Sequence, residues 1–430
     1  MTRLNRFDTL RTVSLGLTAA LTALTLASCG SGSSGANSPD VGSGGPAPVP
    51  TAARDVLVVS NNWEGTADFI DPQSFQRLLR LNIVPDREQR VAEIRANPVR
   101  YAEYLGVRQL IGEGNDQLVD DGFTSADGRF LYVSRPSFSD VVAFDLSTRN
   151  IVWRTPVDGY RSDHMALSPD GKELAVSAST ERKVMVLDTA TGAVVGSFAS
   201  GDQPHENNYS KDGSRIFHAS IGTVFTPLDV PLFDTTKGER VFEVVDARTR
   251  TVLKKVDIGA KLAEAGYPNF SSAVRPMAIA PDERLFYFQL SFFHGVVEYD
   301  LEQDKVLRVA TLPNAVPDKP LALYPLDSAH HGLAISPDGT QLCAAGTVDN
   351  YIALINRQTL QYKIFPTGAT PYWSTTSTDG RYCFVSIAGA DQIAVIDYAR
   401  QEQVATIPVG NHPQRSRMGR LLSSAVDTAR

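Results

Sequence analysis

The sequence has little cysteine, no excess of positive charge and none of the short motifs typical of common enzyme families. Three cysteines among 430 residues allow at most one disulfide in the chain. Lys and Arg total 41 against 48 Asp and Glu, and the net charge of −7 argues against binding of nucleic acid through its phosphates. No Ser/His/Asp hydrolase motif, P-loop, dinucleotide fingerprint, heme cysteine pair or linear metal motif is present, which weakens an enzymatic role without excluding it.

The sequence also lacks an apolar run long enough to remain in a bilayer. Residues 1–28 contain three arginines and then an apolar stretch over 13–27, which predicts a signal peptide. The stretch L-A-S-C that ends at Cys29 resembles the lipobox of bacterial lipoproteins, which implies lipidation of Cys29. Residues 29–54 would then be the lipidated cysteine and a flexible Gly/Ser/Pro tether. We therefore expect a lipid-anchored protein on the extracytoplasmic side of the cell membrane; the alternative is a secreted protein with an incidental Cys29.

The other two cysteines, Cys343 and Cys383, both fall in apolar segments with strand character. A disulfide can form outside the cytoplasm, but free Cys is also commonly buried. The sequence leaves both alternatives open.

A repeated turn is the strongest pattern in the chain. Variants of S-P-D-G recur with a period of roughly 42 residues, interrupted by two larger gaps, and each precedes a β-rich run. The turn aspartates are Asp127, Asp170, Asp212, Asp282, Asp338 and Asp379. A second mark closes a later strand, at Asp71, Asp145, Asp188, Asp246, Asp300, Asn356 and Asp397. Both marks are interpreted as structural caps of tight turns.

The second mark occurs seven times and the first only six, so the repeat near residues 55–85 lacks its leading strand. The stretch V-G-N-H-P-Q-R-S-R-M-G near the C-terminus begins a repeat that nothing follows. Four-stranded units at this spacing predict an all-β fold, a seven-bladed β-propeller over residues 55–418 whose ring is closed by a C-terminal inner strand. Residues 419–430 are predicted to be a tail.

The repeats resemble the YVTN-type (YncE-like) propeller family. The resemblance is carried by S-P-D-G-K-E-L-A-V-S-A, by K-V-M-V-L-D-T-A-T-G-A-V-V-G-S-F-A-S-G and by Q-I-A-V-I-D-Y-A-R-Q-E-Q-V-A-T-I-P-V-G-N-H-P. It implies the propeller fold and favours a binding or interaction module over an enzyme. Propellers serve many unrelated functions, so the family alone does not identify a ligand.

Four long insertions interrupt the repeats, at residues 86–115, 223–239, 259–273 and 312–328. Their places in the strand order put all four on one face of the disc, where the innermost strands begin. Long loops of this kind are commonly functional. The first insertion has apolar residues at near-helical spacing and predicts two short helices split at Pro98, a plausible lid.

Polar residues occupy the starts of the inner strands, on the face of the disc that carries these insertions. Seven places before each turn aspartate, or at the matching place in the closing strand, stand Asp120, Asp163, His205, Arg275, His331, Tyr372 and Gln414. Six places before stand Asp121, His164, Glu206, Pro276, Gly332, Trp373 and Arg415. In the fourth repeat, G-D-Q-P-H-E-N-N-Y-S-K-D-G, polar residues also replace the apolar ones of its siblings. We interpret this as an exchange of packing for ligand contacts.

The predicted ligand-binding residues are His164, His205, Glu206, Asn207, Asn208, Arg275, His331, Tyr372, Trp373 and Arg415. His164, His205 and His331 are the candidate ligands of a divalent metal. No catalytic residue is assigned. The expected function is binding of a small molecule or a cell-envelope protein at the channel mouth, with no nucleic-acid partner. One alternative is a lyase, lactonase or metal-dependent oxidoreductase that uses the His, Glu and Arg side chains; a second is a cell-envelope scaffold.

Overall fold

The computed structural model describes residues 52–224 and 231–426. The predicted signal peptide and lipidated Cys29, with most of the tether, lie outside the described residues. Within the described part of the chain, no helix combines the length and apolar character needed to span a bilayer.

The strands form seven antiparallel sheets of four strands each, as the repeat count predicted. The first blade contains β1 (Ala53–Asn61), β2 (Thr66–Ile70), β3 (Arg77–Asn82) and β28 (Pro413–Leu422). The second contains β4 (Gly122–Thr124), β5 (Phe130–Arg135), β6 (Asp140–Asp145) and β7 (Asn150–Pro156), and the third β8 (Ser162–Leu167), β9 (Glu173–Ala178), β10 (Lys183–Asp188) and β11 (Val194–Ala199). The fourth contains β12 (Pro204–Tyr209), β13 (Arg215–Ser220), β14 (Val241–Asp246) and β15 (Val252–Val256).

The last three blades follow the same order. The fifth contains β16 (Val274–Ile279), β17 (Leu285–Leu290), β18 (Gly295–Asp300) and β19 (Lys305–Thr311). The sixth contains β20 (Leu333–Ile335), β21 (Gln341–Gly346), β22 (Tyr351–Asn356) and β23 (Tyr362–Pro366), and the seventh β24 (Pro371–Thr376), β25 (Tyr382–Ile387), β26 (Gln392–Asp397) and β27 (Glu402–Pro408).

The C-terminal strand closes the ring. β28 pairs antiparallel with β1 from Ala53 opposite Leu422 to Asn61 opposite Pro413, and so supplies the inner strand that the first repeat lacks. The predicted closure is confirmed. Apolar side chains fill the space between neighbouring blades; Val58 and Phe69 of the first blade, for example, pack in one cluster with Leu131 and Phe144 of the second.

Both predicted turn marks act as caps. In the first mark the Ser hydroxyl donates to the Asp two residues later, as in Ser168 to Asp170 at 2.7 Å and Ser336 to Asp338 at 2.6 Å. In the second mark the Asp accepts from backbone N–H groups just beyond it, as Asp397 does from residues 399 and 400 at 3.0 and 2.9 Å. These short turns leave one face of the disc without long loops.

The insertions carry the helices. The first contains α1 (Arg87–Arg95) and α2 (Pro98–Leu110), so the predicted split at Pro98 is confirmed. Asn97 caps α2 by accepting from the backbone N–H of Arg100 at 3.1 Å, and proline suits the first turn because it lacks an N–H. The third insertion contains α3 (Ile258–Glu264), and short 3₁₀ turns occur at Pro231–Thr236, Leu321–Leu323 and Pro325–Asp327.

The two cysteines left open by the sequence form a disulfide between neighbouring blades. Cys343 lies in β21 and Cys383 in β25, 40 positions apart in sequence, and both side chains are fully buried. The bond ties the sixth blade to the seventh and restricts the unfolded chain.

We predict that the double variant Cys343→Ala/Cys383→Ala loses about 3–4 kcal/mol of unfolding free energy, because the bridge closes a loop of 40 residues in the unfolded chain. Denaturant unfolding with and without a reductant measures the effect. Reduction should destabilise the wild-type chain by a similar amount and leave the double variant unchanged. A wild-type chain indifferent to the reductant would contradict the assignment.

Candidate ligand and metal site at the channel mouth

Irregular pairing at the inner strands builds the channel mouth. The register shifts between Ser162 and Met165 in β8, between Pro204 and Glu206 in β12, between Val274 and Met277 in β16 and between Pro371 and Trp373 in β24. β28 shifts in the same way opposite Val59 and Asn61. An extra residue in a strand bends it and re-aims the side chains at that point. Each shift falls six or seven residues before the repeat turn, where the sequence places its polar residues.

These residues enclose a polar cavity of about 30 Å³ at the channel axis. All seven residues that stand seven places before the turn aspartate, or at the matching place in β28, line this cavity. His164 and Arg415, which stand one place later in their strands, also line it. The other lining residues are Ile111, Gln117, Arg161, Ser179, Gln203, Ile221, Val224 and Leu326. The insertions therefore reach the mouth, since Ile111 directly follows α2 and Leu326 belongs to the fourth insertion. A cavity of this size holds about two water molecules, one ion or a very small ligand.

His164, His205 and His331 form one compact group in this cavity, here called the three-histidine cluster. The ring centroids of His164 and His205 lie 3.8 Å apart, and His331 lies 6.3 and 5.7 Å from them. One nitrogen from each ring can be chosen so that all three lie within 4.8 Å of one another. None of the side chains is more than 5% exposed. Residues separated by up to 167 positions in sequence thus meet at one point because the ring closes.

Hydrogen bonds orient two of the three rings. His164 Nδ1 lies 2.7 Å from Glu206 Oε2, and His331 Nδ1 lies 3.4 Å from the carbonyl oxygen of Tyr372. The carbonyl oxygen of Tyr372 only accepts, as does Glu206 when it is ionised, so each Nδ1 then carries the hydrogen and each Nε2 presents its lone pair. His205 Nδ1 is buried without a hydrogen-bond partner among the described residues. A buried nitrogen of this kind is costly unless something else binds it.

All three imidazoles are held in the neutral form. Burial lowers the pKa of His164, His205 and His331 well below the usual value, because a charged ring is poorly solvated there. The nearby guanidinium of Arg415 lowers each pKa further. Neutral imidazole is the form that binds metal ions.

Buried ion pairs surround the cluster. Arg415 Nη1 donates to Asp120 at 2.7 Å, Arg161 Nη1 donates to Asp163 at 2.5 Å, and Asp163 Oδ1 lies 3.6 Å from His164 Nε2. Burial raises the pKa of Asp120 to about 7 and that of Glu206 to about 7. Asp120 Oδ2 and Arg415 Nε have no hydrogen-bond partner among the described residues. The mouth therefore keeps both an acceptor and a donor available to a ligand.

Four of the predicted ligand-binding residues lie behind the cavity rather than on its wall. Glu206 bonds to His164, and Asn208 Nδ2 donates to Glu206 at 3.2 Å. Asn207 Nδ2 donates to Ser177 at 2.8 Å and to the His164 carbonyl at 3.2 Å. The guanidinium groups of Arg415 and Arg417 both lie over the Trp373 ring, at 4.7 and 4.8 Å from its centroid. These side chains orient the residues that reach the cavity.

The structure also brings in residues that the repeat register did not single out. Arg161, Gln117, Ser179 and Gln203 lie in connections between strands, where repeats cannot be aligned position by position. A second buried group contains His294, His330 and Asp349. There Asp349 Oδ2 lies 2.6 Å from His294 Nδ1 and 2.9 Å from His330 Nε2. Asp349 also accepts from the backbone N–H of Ala315, so this group fastens the fourth insertion to the sixth blade.

The three-histidine cluster matches the donor set of a transition-metal site. Zn²⁺ binds imidazole nitrogens at about 2.0–2.1 Å, which places tetrahedral ligands about 3.3 Å apart. The nitrogens within 4.8 Å of one another therefore need to approach by about 1.5 Å at most. A carboxylate behind one ligand histidine, here Glu206, and a carbonyl behind another are the usual outer partners of such ligands.

Comparison with known proteins supports the fold and does not identify a family. No family model matches the sequence, and no curated protein matches it. Among solved structures, the chain is similar to Kuenenia stuttgartiensis hydrazine synthase, with a TM-score of 0.53 and 17% identity over 68% of this chain and 86% of that chain. It is also similar to the dihydro-heme d1 dehydrogenase NirN in complex with DHE, with a TM-score of 0.52 and 14% identity over 84% of this chain and 74% of that chain. At these identities the likeness shows the propeller fold alone.

We predict that Glu206→Gln weakens binding of Zn²⁺ by about 10–100-fold, because the amide removes the charge that supports His164 as a ligand. Competition with a metal indicator measures the affinity, and the melting temperature of the metal-free protein reports on folding. Glu243→Gln is the matched control, since Glu243 is a buried carboxylate of the same blade that pairs with Lys255. Equal affinities for the Glu206 variant and the control would argue against this role.

Proposed function

We propose that this chain is a β-propeller metalloprotein that binds one divalent transition-metal ion through His164, His205 and His331. The observation that carries the proposal is the convergence of three buried, neutral imidazoles on one polar cavity, with His205 Nδ1 lacking a partner among the described residues. Imidazole ligands suit zinc, copper, nickel and iron. Three protein ligands leave a coordination position open toward the cavity, as in catalytic rather than structural zinc sites.

The name of one structural relative, the dihydro-heme d1 dehydrogenase NirN, raises the question of a heme, and the mouth does not fit one. The cavity measures about 30 Å³, whereas pockets for drug-sized ligands measure about 300–1,000 Å³. Ile111 and Leu326 from the insertions occupy the space above the cluster. A single ion with a very small ligand matches this volume, and no role is assigned to a tetrapyrrole.

The ligand beside the ion is proposed to carry an anionic group. Three arginines line the cavity, Arg161, Arg275 and Arg415, against two aspartates, Asp120 and Asp163. The Nε of Arg415 is a buried donor without a partner among the described residues. Together with a bound cation, these groups favour an anion over a neutral or positively charged ligand.

A catalytic role is the second candidate. A metal ion lowers the pKa of bound water, and a nearby carboxylate can then accept its proton. Asp163 next to His164 and the unpartnered oxygen of Asp120 are placed for that task. This arrangement supports the lyase or lactonase alternative; an oxidoreductase would need a redox-active ion such as copper or iron. The scaffold alternative leaves the buried cluster without a purpose.

The proposed location is the extracytoplasmic side of the cell membrane, with Cys29 as the lipid anchor. Two observations support it: the L-A-S-C stretch after an apolar run, and the disulfide between Cys343 and Cys383. Disulfides persist mainly in oxidising compartments. The membrane is then one partner, and the ligand of the channel mouth or a cell-envelope protein is the other.

We predict that the purified domain binds one Zn²⁺ or Co²⁺ ion per chain and that His205→Ala weakens binding by more than about 100-fold, since loss of a ligand exceeds the effect of an outer partner. Elemental analysis gives the stoichiometry and indicator competition the affinity. His412→Gln is the control, because His412 stacks on Trp63 at 3.6 Å, outside the cluster. A folded wild-type protein that takes up no ion, or a His205 variant that binds as well as the control, would overturn the proposal.

For the anchor, we predict that Cys29→Ser moves the protein from the membrane fraction to the soluble fraction, because the acyl chains of a lipoprotein cysteine provide firm attachment. Fractionation with immunodetection measures the distribution, and Ser28→Ala controls for changes in the signal region. Full membrane retention of the Cys29 variant would count against lipidation at this residue.

A further inference from the structure

A second cavity adjoins the three-histidine site. It measures about 290 Å³ and lies between α2, residues 179–182 after β9 and residues 202–203 before β12. Ile111, Ser179 and Gln203 line both this cavity and the one at the cluster. The two spaces are therefore neighbours, with these three side chains between them. The outer space is here called the vestibule.

A glycine in α2 keeps the vestibule open. Gly106 lies within the helix, where glycine is less favourable than alanine. Close packing does not require a glycine at residue 106, because a Cβ built on Gly106 would meet no other atom within 4 Å. Tyr104 of the same helix packs in the apolar cluster of the first two blades, and Val107 is buried, so the helix is firmly seated. The missing side chain leaves space on the one side of α2 that faces the vestibule.

The two ends of the combined space differ in charge. Glu103, Glu181 and Asp202 line the vestibule against a single cation, Arg182, which pairs with Glu239 and Asp202. Glu103 and Glu181 form no hydrogen bond or ion pair with another described side chain, and Glu181 interacts electrostatically with Lys183. The inner end has three arginines against two aspartates and gains the charge of the ion when one is bound. One end thus favours a cation and the other an anion.

We propose that the vestibule and the three-histidine cavity form one binding pocket for a small amphoteric molecule. Its carboxylate or similar anionic group points inward to the bound ion and Arg415, and its ammonium group points outward to Glu103 and Glu181. The apolar side chains of Val107, Leu110 and Ile111 contact the short carbon chain between them. This proposal rests on the proposed metal site.

The test uses the Co²⁺-loaded domain and 4-aminobutyrate, with butyrate and butylamine as probes that each lack one charge. The visible spectrum of Co²⁺ reports binding at the open coordination position. We expect 4-aminobutyrate to bind at least about 10-fold more tightly than butyrate, and Glu103→Gln/Glu181→Gln to remove that preference. At neutral pH butylamine should leave the spectrum unchanged, because its protonated ammonium group has no lone pair for the ion.

Gly106→Trp tests the vestibule itself. The indole fills the space and should weaken binding of 4-aminobutyrate by at least about 10-fold, while Co²⁺ uptake stays as in the wild type. Gln109→Trp is the control, since Gln109 is exposed on the same helix and lines neither cavity. Unweakened binding in the Gly106 variant, or equal affinity for butyrate and 4-aminobutyrate, overturns this proposal. Failure of the wild-type chain to take up Co²⁺ overturns the metal site instead, and this proposal with it.

Discussion

Closure of the ring by β28 is the constraint on which the site depends. A propeller brings the starts of its inner strands to one axis only when every blade is in place, and the first blade obtains its inner strand from the far end of the chain. That strand also delivers Arg415, whose guanidinium adds to the effect of burial in lowering the pKa of all three histidines of the cluster. The same strand therefore completes the fold and helps to keep the three rings neutral.

The sequence predicted the features that recur in every repeat. The two turn marks together predicted the number of blades and the closing strand, and the register of the first mark identified the ring of residues that lines the mouth. It did not predict which ring residues reach the cavity, because that depends on bulges in five inner strands. The sequence did not predict Arg161 and Ser179 as lining residues, because they lie in connections where the repeats cannot be aligned. It also left the disulfide undecided, because buried strands accommodate free and bridged cysteines equally.

Burial at the mouth is costly to the fold, which is an argument that it serves a function. Buried ion pairs contribute little net stability, since removing both charges from water offsets their attraction. Here two such pairs, Asp120 with Arg415 and Asp163 with Arg161, lie within the wall of a single small cavity. Elsewhere the inter-blade clusters are apolar, as in the packing of Phe242 against Phe286 and Phe288. Two buried ion pairs in the wall of one small cavity thus mark the mouth as a candidate functional site.

In the fourth repeat, the inner strand β12 both lines the cavity and joins neighbouring blades. In β12 His205 lines the cavity, Glu206 holds His164 of the neighbouring blade, and Asn207 bonds to Ser177 and His218 in place of an apolar contact. Burial lowers the pKa of His218 to about 3, so the ring is neutral when it bonds to Asn207. The hydrogen bonds of Asn207 join the third and fourth blades where siblings use apolar packing. The loss of apolar residues in this strand is therefore offset by directed bonds, and those bonds fix His164 and His205 with their rings 3.8 Å apart.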